Sequence, residues 1–253
     1  MTLTLTLRAQ PPGRVDAAPL VPERLHASAG DSPRLRCGRE SLGVGDLFEV
    51  SGTAGDEELI LDGDLRLFDG VGAGMSRGEI VVRGDVGDWA GAAMSGGVLR
   101  IHGDAGARLG AAYPGARVGM TGGEIVVTGD AGEEAGAGMR RGLIAVGGRA
   151  GAGAGLRMLA GTVIALGGIG AEAGLGNKRG SLVSGRPGQP LPSYAFAARF
   201  SPPALHLQLR RARELGLTVD DALLCGAWAR WSGDRTELTR GEILIFDGEN
   251  GRG

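Results

Sequence analysis

The sequence predicts an all-β fold in which the middle of the chain stacks as a single-stranded parallel β-helix. Three features predict it: 50 of the 253 residues are glycine, short aliphatic triplets recur along residues 60–185, and glycines recur in register with the triplets. Glycine is thus about three times as frequent as in ordinary proteins, yet it does not occupy every third position, which excludes a collagen helix. A helical solenoid is also disfavoured, because each glycine would cost a helix about 1 kcal/mol.

The repeat has a period of 19 residues that is interrupted once. Its strand-like segments begin at five positions separated by 19, 26, 19 and 19 residues: Glu79, Val98, Glu124, Leu143 and Thr162. The longer interval holds an insertion near Pro114–Met120. Two further columns keep the same spacing, and these are Met75, Met94, Met120, Met139 and Met158, and Gly78, Gly97, Gly123, Gly142, Gly161 and Gly180. This register predicts that every unit forms one coil of a solenoid.

Each unit contains a triplet whose first and third residues are apolar, as in Ile80 and Val82. A period of two places both on one face of a strand, but so short a strand cannot bury that face alone. Stacking of successive units about 4.8 Å apart would pair the strands and bury a continuous aliphatic column. Glycine at corners such as Gly84 would allow positive φ or close backbone approach. The methionine column is best explained as filling of this core.

The middle residue of each triplet should face outward, yet it is apolar in five of six units. The six are Val81, Arg100, Val126, Ala145, Ile164 and Val183. A solvated sheet face normally carries alternating polar residues. We therefore expect this outer face to be covered, either by the ends of the chain or by another subunit.

We divide the chain into an irregular N-terminal docking segment (residues 1–45), the β-helix (46–190) and a small α/β extension (191–253). In the first segment, Thr2–Leu7 predicts an edge strand, because threonine and leucine alternate. Gly45–Val50 predicts the first strand that leads into the repeat.

The ends of the chain also carry two helical patterns. Pro22–Leu25 predicts the start of a helical turn. Pro203–Gly216 predicts an amphipathic helix, with proline near its start, glycine at its end and arginines largely off the apolar stripe. Gly241–Gly248 resembles the repeat strand again and predicts either a final coil or a separate edge strand.

Charge and composition disfavour several classes of function. The net charge of −2 gives no basis for binding nucleic acid or an anionic membrane. Cys37 and Cys225 are far apart and match no metal, redox, disulfide or iron–sulfur pattern. We expect a cytoplasmic protein, because no signal peptide is evident and no apolar run reaches the roughly 18 residues of a membrane span.

Candidate metal sites are better explained by structural roles. The histidines His26, His102 and His206 share no position in the repeat, so we expect no zinc cluster. Four corner aspartates could stack as calcium ligands, namely Asp64, Asp85, Asp104 and Asp130. Their column continues as Arg149 rather than aspartate, however, and aspartate is a common turn residue. We therefore favour a turn role.

The sequence also contains weak candidates for catalysis and anion binding. A β-helix enzyme acting on a polyanionic or sugar substrate would use clustered acids, and the candidates are Asp88, Glu133, Glu134 and Glu172. The glycine-rich run Gly151–Gly155 lacks the following helix that a phosphate loop needs. Arginines near residue 210 are better explained by a cap or a solvated helix face. We predict no catalytic, cofactor-binding or metal-binding residue in this chain.

Three runs of the repeat closely resemble the C subunit of formylmethanofuran dehydrogenase: Gly123–Gly132, Ala135–Gly142 and Met158–Ile164. The insertion lies where that family carries a longer coil. Three N-terminal runs extend the resemblance to the C subunit of the formyltransferase/hydrolase complex of aerobic methylotrophs: Leu3–Leu5, Val21–Leu25 and Val44–Phe48. The same repeat occurs in the C-terminal domain of glutamate synthase large subunits. Asn177, which takes the place of a methionine, departs from the pattern.

The resemblance implies a right-handed β-helix that assembles with the A, B and D subunits of such a complex. It implies a complex that moves a formyl group from formyl-tetrahydromethanopterin to a methanofuran-type carrier and hydrolyses it to formate. Chemistry would belong to the A and D subunits, and the C subunit would be a scaffold without a cofactor. Two alternatives stay open: the C subunit of a molybdenum or tungsten formylmethanofuran dehydrogenase, and a structural domain like that of glutamate synthase.

Overall fold

A computed structural model describes residues 2–27, 33–53 and 58–248. Its strands are β1 (Thr2–Leu7), β2 (Val15–Asp16), β3 (Arg34–Cys37), β4 (Glu40–Gly43), β5 (Phe48–Gly52), β6 (Glu58–Asp62), β7 (Phe68–Asp69), β8 (Glu79–Arg83), β9 (Val98–Ile101), β10 (Glu124–Val127), β11 (Leu143–Val146), β12 (Thr162–Ala165), β13 (Ser181–Ser184), β14 (Ala195–Phe200), β15 (Trp228–Gly233) and β16 (Gly241–Phe246). Its helices are α1 (Pro22–Ala27), α2 (Val44–Leu47), α3 (Pro203–Glu214) and α4 (Asp221–Cys225). The fold is therefore mostly β, as predicted.

One large, mostly parallel sheet dominates the molecule. Its 12 strands have the order β14-β15-β16-β13-β12-β11-β10-β9-β8-β6-β1-β5, and a small sheet has the order β4-β3-β2-β7. From β6 to β13 each strand of this sheet pairs in parallel with the strand of the next repeat unit, and we call each unit, meaning its strand and the turns that follow it, a coil. The pairing follows the 19-residue repeat and passes over the insertion without a shift of register. Each repeat unit thus contributes one strand to the sheet.

The predicted aliphatic column is confirmed by the register of these strands. Ile80 pairs with Leu99, Leu99 with Ile125, and Ile125 with Ile144. All four side chains are fully buried in one core cluster. At about 25 cal/mol for each Å² of apolar surface removed from water, a continuous column of this kind is a main source of stability.

The methionine column lies in the same core, which confirms its predicted packing role. Met75, Met94, Met120, Met139 and Met158 are all fully buried. Each lies beneath the closing glycine of the next coil: a Cβ on Gly123, for example, would lie 2.7 Å from Cε of Met94. The closing glycines therefore leave room for the methionines.

The coils also touch along a second line. Single parallel bridges join Leu65, Val86, Ala105, Ala131, Ala150 and Ile169 in succession. The residue after each bridge is a glycine in the repeat coils, and at Gly151 a Cβ would lie 2.7 Å from the carbonyl carbon of Gly132. Since real Cβ atoms essentially never come so close to backbone, only glycine fits where adjacent coils approach at this corner.

The N-terminal predictions need two corrections. Strand β1 is not an edge strand, because it pairs in parallel with β6 and antiparallel with β5. Its leucines Leu3 and Leu5 face Leu59 and Leu61 and so extend the aliphatic column by one level. The strand predicted over Gly45–Val50 begins only at Phe48, since Val44–Leu47 forms helix α2. Asp46 causes this local turn by accepting a hydrogen bond from the backbone N–H of Gly43 at 2.8 Å.

The remaining predictions for the chain ends are confirmed. Helix α1 occupies the expected turn, and α3 spans Pro203–Glu214 with Leu205, Leu209 and Ala212 buried. Strand β16 pairs in parallel with β13 and antiparallel with β15, so it adds a final level to the parallel stack.

Asn177 shows how the column accommodates a polar residue in a methionine place. Its side chain is fully buried. The Oδ1 atom accepts from the N–H of Gly180 at 2.8 Å, and Nδ2 donates to the carbonyl of Gly180 at 2.9 Å. Both polar ends are thus satisfied, as burial requires.

We predict that Gly151→Ala destabilises the protein far more than Gly188→Ala. Neither glycine has a left-handed φ, but only Gly151 faces backbone of the neighbouring coil, whereas a Cβ on Gly188 would meet nothing within 4 Å. Overpacking should lower the free energy of unfolding by about 1–3 kcal/mol or more, and the exposed change should stay within about 0.5 kcal/mol. Urea unfolding measures both; equal losses would contradict the proposed coil contact.

Candidate functional site

The C-terminal extension covers part of the outer sheet face. The middle triplet residues Val126, Ala145, Ile164 and Val183 are buried in one cluster with Leu205, Leu209, Ala212, Trp228 and Leu244. We predicted that either the ends of the chain or another subunit covers this face, and over these coils the C-terminal end of the chain covers it. Toward the first coils the covering reaches only as far as Val98, which is partly buried against it, and Val81 and Arg100 remain half-buried.

Helix α3 is tied to the sheet by polar contacts at its edge. Arg211 binds Glu124 through two nitrogens, with Nε 3.0 Å from Oε1 and Nη2 2.8 Å from Oε2. The hydrogen bonds to Glu124, and then to Glu214, raise the pKa of Arg211 above its ordinary value. Gln208 also donates to the hydroxyl of Thr162 at 2.9 Å. These contacts give Arg211 a structural role in holding α3 against the sheet.

The corner aspartates form a ladder between coils. The Oδ1 atoms of Asp85, Asp104 and Asp130 accept from the backbone N–H of the next coil, at 2.8 Å from Asp104, 2.7 Å from Asp130 and 2.7 Å from Arg149, respectively. The predicted turn role is thus accompanied by a contact that the sequence did not indicate. Asp64 differs, because its carboxylate binds Arg66, and this hydrogen bond lowers the pKa of Asp64.

The four acids considered for catalysis do not form one cluster. Asp88 accepts from the N–H of Ala107 at 2.9 Å, and its other oxygen lies 3.1 Å from Nη2 of Arg14. Glu134 binds Arg108 at 3.0 Å. Glu133 occupies the same position of its coil as Asp88 does, but the coil of Ala107 lies between the two. Glu133 and Glu172 are exposed. Their contacts connect coils rather than converge on a substrate.

The histidines and cysteines are also dispersed. His102 is exposed, and Nε2 of His206 lies 3.5 Å from the hydroxyl of Ser201. The side chain of His26 lies outside the described residues. Cys37 is a buried thiol and Cys225 an exposed one. Within residues 2–27, 33–53 and 58–248, no three His, Cys, Asp or Glu side chains are grouped so that they could hold a metal ion.

A groove with a volume of about 780 Å³ runs along one edge of the stacked coils. The insertion closes one end with Arg117 and Val118, and the loop after β15 closes the other with Thr236 and Glu237. The floor comes from successive coils and consists of Ala112, Ala137, Gly138, Leu156, Leu175 and Gly176, with Arg157 and Lys178 beside it. Nζ of Lys178 lies 3.7 Å from Oε2 of Glu237.

Sequence reasoning missed this groove, although part of its signal was present. The insertion is evident in the sequence, but a repeat pattern alone does not locate the loop after β15 against the coils. A second signal was the repeat position that holds alanine in three coils and Leu156 and Leu175 in the last two. Both leucines line the groove, and Leu175 is 41% exposed.

A buried carboxylate anchors the end wall of the groove. Asp234 accepts from the N–H of Gly176 at 3.0 Å and from the N–H and hydroxyl of Thr236 at 2.9 and 2.8 Å. Burial alone would raise the pKa of Asp234, but these hydrogen bonds outweigh it and hold the pKa below its ordinary value. Asp234 therefore joins the loop after β15 to the coil of Gly176.

Tyr194 makes a second buried contact beneath the same coil. Its hydroxyl donates to the carbonyl of Gly174 at 2.9 Å. Burial raises the pKa of Tyr194 to about 12, so the phenol stays neutral.

In the part of the chain that is described, no helix is long and apolar enough to cross a membrane.

Comparison with known proteins gives a consistent set of relatives. No protein-family model matches the chain. Over 87 residues it is 40% identical to the C subunit of the formyltransferase/hydrolase complex Fhc of Methylorubrum extorquens, a match that covers 33% of this chain and 32% of that protein. Over 91 residues it is 34% identical to the C subunit of tungsten-containing formylmethanofuran dehydrogenase 2 of Methanothermobacter thermautotrophicus, covering 33% and 34%. The matched segment thus spans about a third of these curated relatives.

A solved structure extends the likeness over nearly the whole chain. It is a chain in the X-ray crystal structure of the formyltransferase/hydrolase complex (FhcABCD) from Methylorubrum extorquens in complex with methylofuran. The two chains share 32% sequence identity and superpose with a TM-score of 0.81, covering 96% of this chain and 98% of that one.

We predict that Asp104→Ala lowers the free energy of unfolding by about 1 kcal/mol, because the N–H of Asp130, in the next coil, loses its acceptor. Asp104→Asn keeps an acceptor oxygen and removes a like charge from the column, so its effect should stay within about 0.5 kcal/mol. Urea unfolding compares the two variants. Equal losses in both, or a Tm raised by added calcium in the wild-type protein only, would instead favour a metal role for the column.

We predict that Asp234→Asn makes stability less dependent on acid. The pKa of Asp234 is lower in the folded chain than the ordinary value of about 3.9 expected after unfolding. Its contribution is therefore present above about pH 4 and is lost as pH falls through the folded pKa. The free energy of unfolding of the variant should be about 1–3 kcal/mol lower than that of the wild-type protein at pH 7. Between pH 5 and 3 it should fall by less than that of the wild-type protein.

Urea unfolding at several pH values measures this difference. Asp221→Asn is the matched control, since the side chain of Asp221 is 86% exposed. Parallel pH profiles for wild-type protein and Asp234→Asn would show that the Asp234 carboxylate does not stabilise the loop in the way we describe.

Proposed function

Because the chain belongs to the family of C subunits of formyltransferase/hydrolase and formylmethanofuran dehydrogenase complexes, we propose that it is the non-catalytic scaffold of a formyltransferase/hydrolase complex. One observation carries this proposal: 32% identity and a TM-score of 0.81 to a chain of the FhcABCD structure, over nearly the full length of both chains. The proposed partners are the A, B and D subunits of the same cytoplasmic complex.

The proposed complex transfers a formyl group from formyl-tetrahydromethanopterin to a methanofuran-type carrier and then hydrolyses it to formate. In this proposal the chemistry belongs to the A and D subunits, and this chain supplies their common support. No cofactor or metal is assigned to this chain.

The fate of its carboxylates supports a structural role for this chain. Asp85, Asp104 and Asp130 accept hydrogen bonds from neighbouring coils, and Asp88 does the same while it binds Arg14. These carboxylate oxygens are already engaged by backbone N–H groups of neighbouring coils and by an arginine. The acids of the coils thus favour support over catalysis.

We further propose that the coils wind as a right-handed, single-stranded parallel β-helix. Two features support this: each unit gives one strand to the parallel sheet, and a second line of parallel bridges joins the same units at a corner. The proposed handedness follows the family resemblance. A helix of this kind suits a scaffold, because backbone hydrogen bonds between all coils keep its surface fixed.

A second candidate is the C subunit of a tungsten-containing formylmethanofuran dehydrogenase. The 34% identity over 91 residues to the Methanothermobacter protein favours it. We rank it second, because identity to the Fhc protein is 40% over a segment of similar length. The metal content of the purified complex distinguishes the two, since tungsten or molybdenum would accompany the dehydrogenase.

The proposal predicts that a tagged copy of this chain, purified from its native host, brings down three further subunits. The complex should transfer and hydrolyse formyl groups and contain neither tungsten nor molybdenum, whereas the chain alone should show no activity. Mass spectrometry, formate release and metal analysis give the three measurements. A chain that purifies alone, or that releases formate by itself, would contradict the scaffold role.

A further inference from the structure

The groove is lined by residues that the coil itself does not require. The repeat position of Leu156 and Leu175 holds alanine in the three earlier coils, at Ala92, Ala111 and Ala137. Ala92 and Ala111 are buried, whereas Leu175 is 41% exposed. Because the earlier coils stack with alanine here, the larger side chains add apolar surface to the groove rather than packing to the core.

The charged residues of the groove depart from the repeat in the same way. Arg157 occupies a position that holds alanine or glycine in the other coils. Lys178 follows the methionine position, where the earlier coils hold Ser76, Ser95, Thr121, Arg140 and Leu159. Arg117 belongs to the insertion and faces the groove from its end. Arg117 and Arg157 are exposed, and the side chain of neither has a hydrogen-bonding or ionic partner among the described residues.

The far end of the groove shows how this surface binds a carboxylate. Glu237, on the loop after β15, has Oε2 3.7 Å from Nζ of Lys178. That loop is held in place by Asp234, which accepts from Gly176 in the groove floor. Lys178 is thus neutralised by the chain itself, while Arg117 and Arg157 present positive charge, unpaired within the described chain, next to apolar side chains.

The length of the groove fits a short extended peptide. Its floor draws on four successive coils, from that of Ala112 to that of Leu175. At about 4.8 Å for each coil, three steps span roughly 14 Å, which is the length of four or five residues of extended chain at about 3.3 Å each.

We propose that this groove docks an extended acidic segment of another subunit in the complex. Carboxylates of the segment bind Arg117 and Arg157, and apolar side chains of the segment pack on Leu156 and Leu175. Charge complementarity sets the register of such a contact and disfavours a basic partner. The inference rests on the proposed function, because it names the surface through which the scaffold holds one of its partners.

A photo-cross-linker at the groove tests the occupant directly. In the complex purified from the native host, Leu175→p-benzoylphenylalanine should give an adduct that mass spectrometry maps to another subunit, in a stretch where acidic residues outnumber basic ones. The same substitution at Leu207, a 66% exposed leucine of α3, is the matched control and should not label that stretch. An adduct on a neutral or basic stretch, on a second copy of this chain or on its own ends, or no adduct, would overturn the inference.

Charge reversal tests the role of the two arginines. The double variant Arg117→Glu, Arg157→Glu should lower the yield of the Leu175 adduct, and of the subunit it labels, by about tenfold or more. Arg210→Glu, which reverses an exposed arginine of α3, should leave both unchanged. Full recovery of all subunits with the double variant would refute the inference alone, whereas a wild-type chain that recovers no partner would refute the proposed function as well.

Discussion

The close approach of successive coil backbones is the constraint on which the rest of the structure depends. The coils bind one another along the parallel strands and again at the corner bridges. At a corner glycine a side chain larger than hydrogen has no room: a Cβ on Gly84 would lie 2.2 Å from the carbonyl oxygen of Gly63. The glycine content follows from this spacing, and so does the register in which leucine, isoleucine and methionine meet inside the stack.

The spacing between coils also determines where polar side chains can lie. Inward positions are taken by the aliphatic and methionine columns, and several corner positions are taken by aspartates that bind the next coil. Side chains that are not needed for stacking are left on the outer sheet face and on the edge that carries the insertion. Helix α3 covers much of the outer sheet face, where Leu205 and Leu209 pack over the sheet and Arg211 binds Glu124. The edge remains available for binding.

Periodic features were predictable from sequence, whereas contacts between distant segments were not. The aliphatic column, the buried methionines and the apolar stripe of α3 all follow from local spacing, because a period of two or of 3.6 decides which side chains share a face. The place of β1 inside the sheet depends on pairing with β6, more than 50 residues away. The aspartate ladder was missed for a related reason: a turn residue is evident locally, but its acceptor role toward the next coil depends on the stack. The groove needs both the insertion and the loop after β15, and only folding brings these together.

Residues that depart from the repeat pattern indicate roles other than stacking, because the pattern shows which residue type each position needs for stacking. Asn177 departs inward, and its two hydrogen bonds to Gly180 compensate for the burial of a polar side chain. Arg100 departs outward and is matched by an ion pair with Glu79 on the neighbouring strand. Arg157 also departs, but nothing in the described chain compensates for its charge. Stacking of the coils requires neither the charge of Arg157 nor the leucines beside it, so a contact with another chain explains both. For this reason we assign the interaction surface to the edge of the coils rather than to the sheet face.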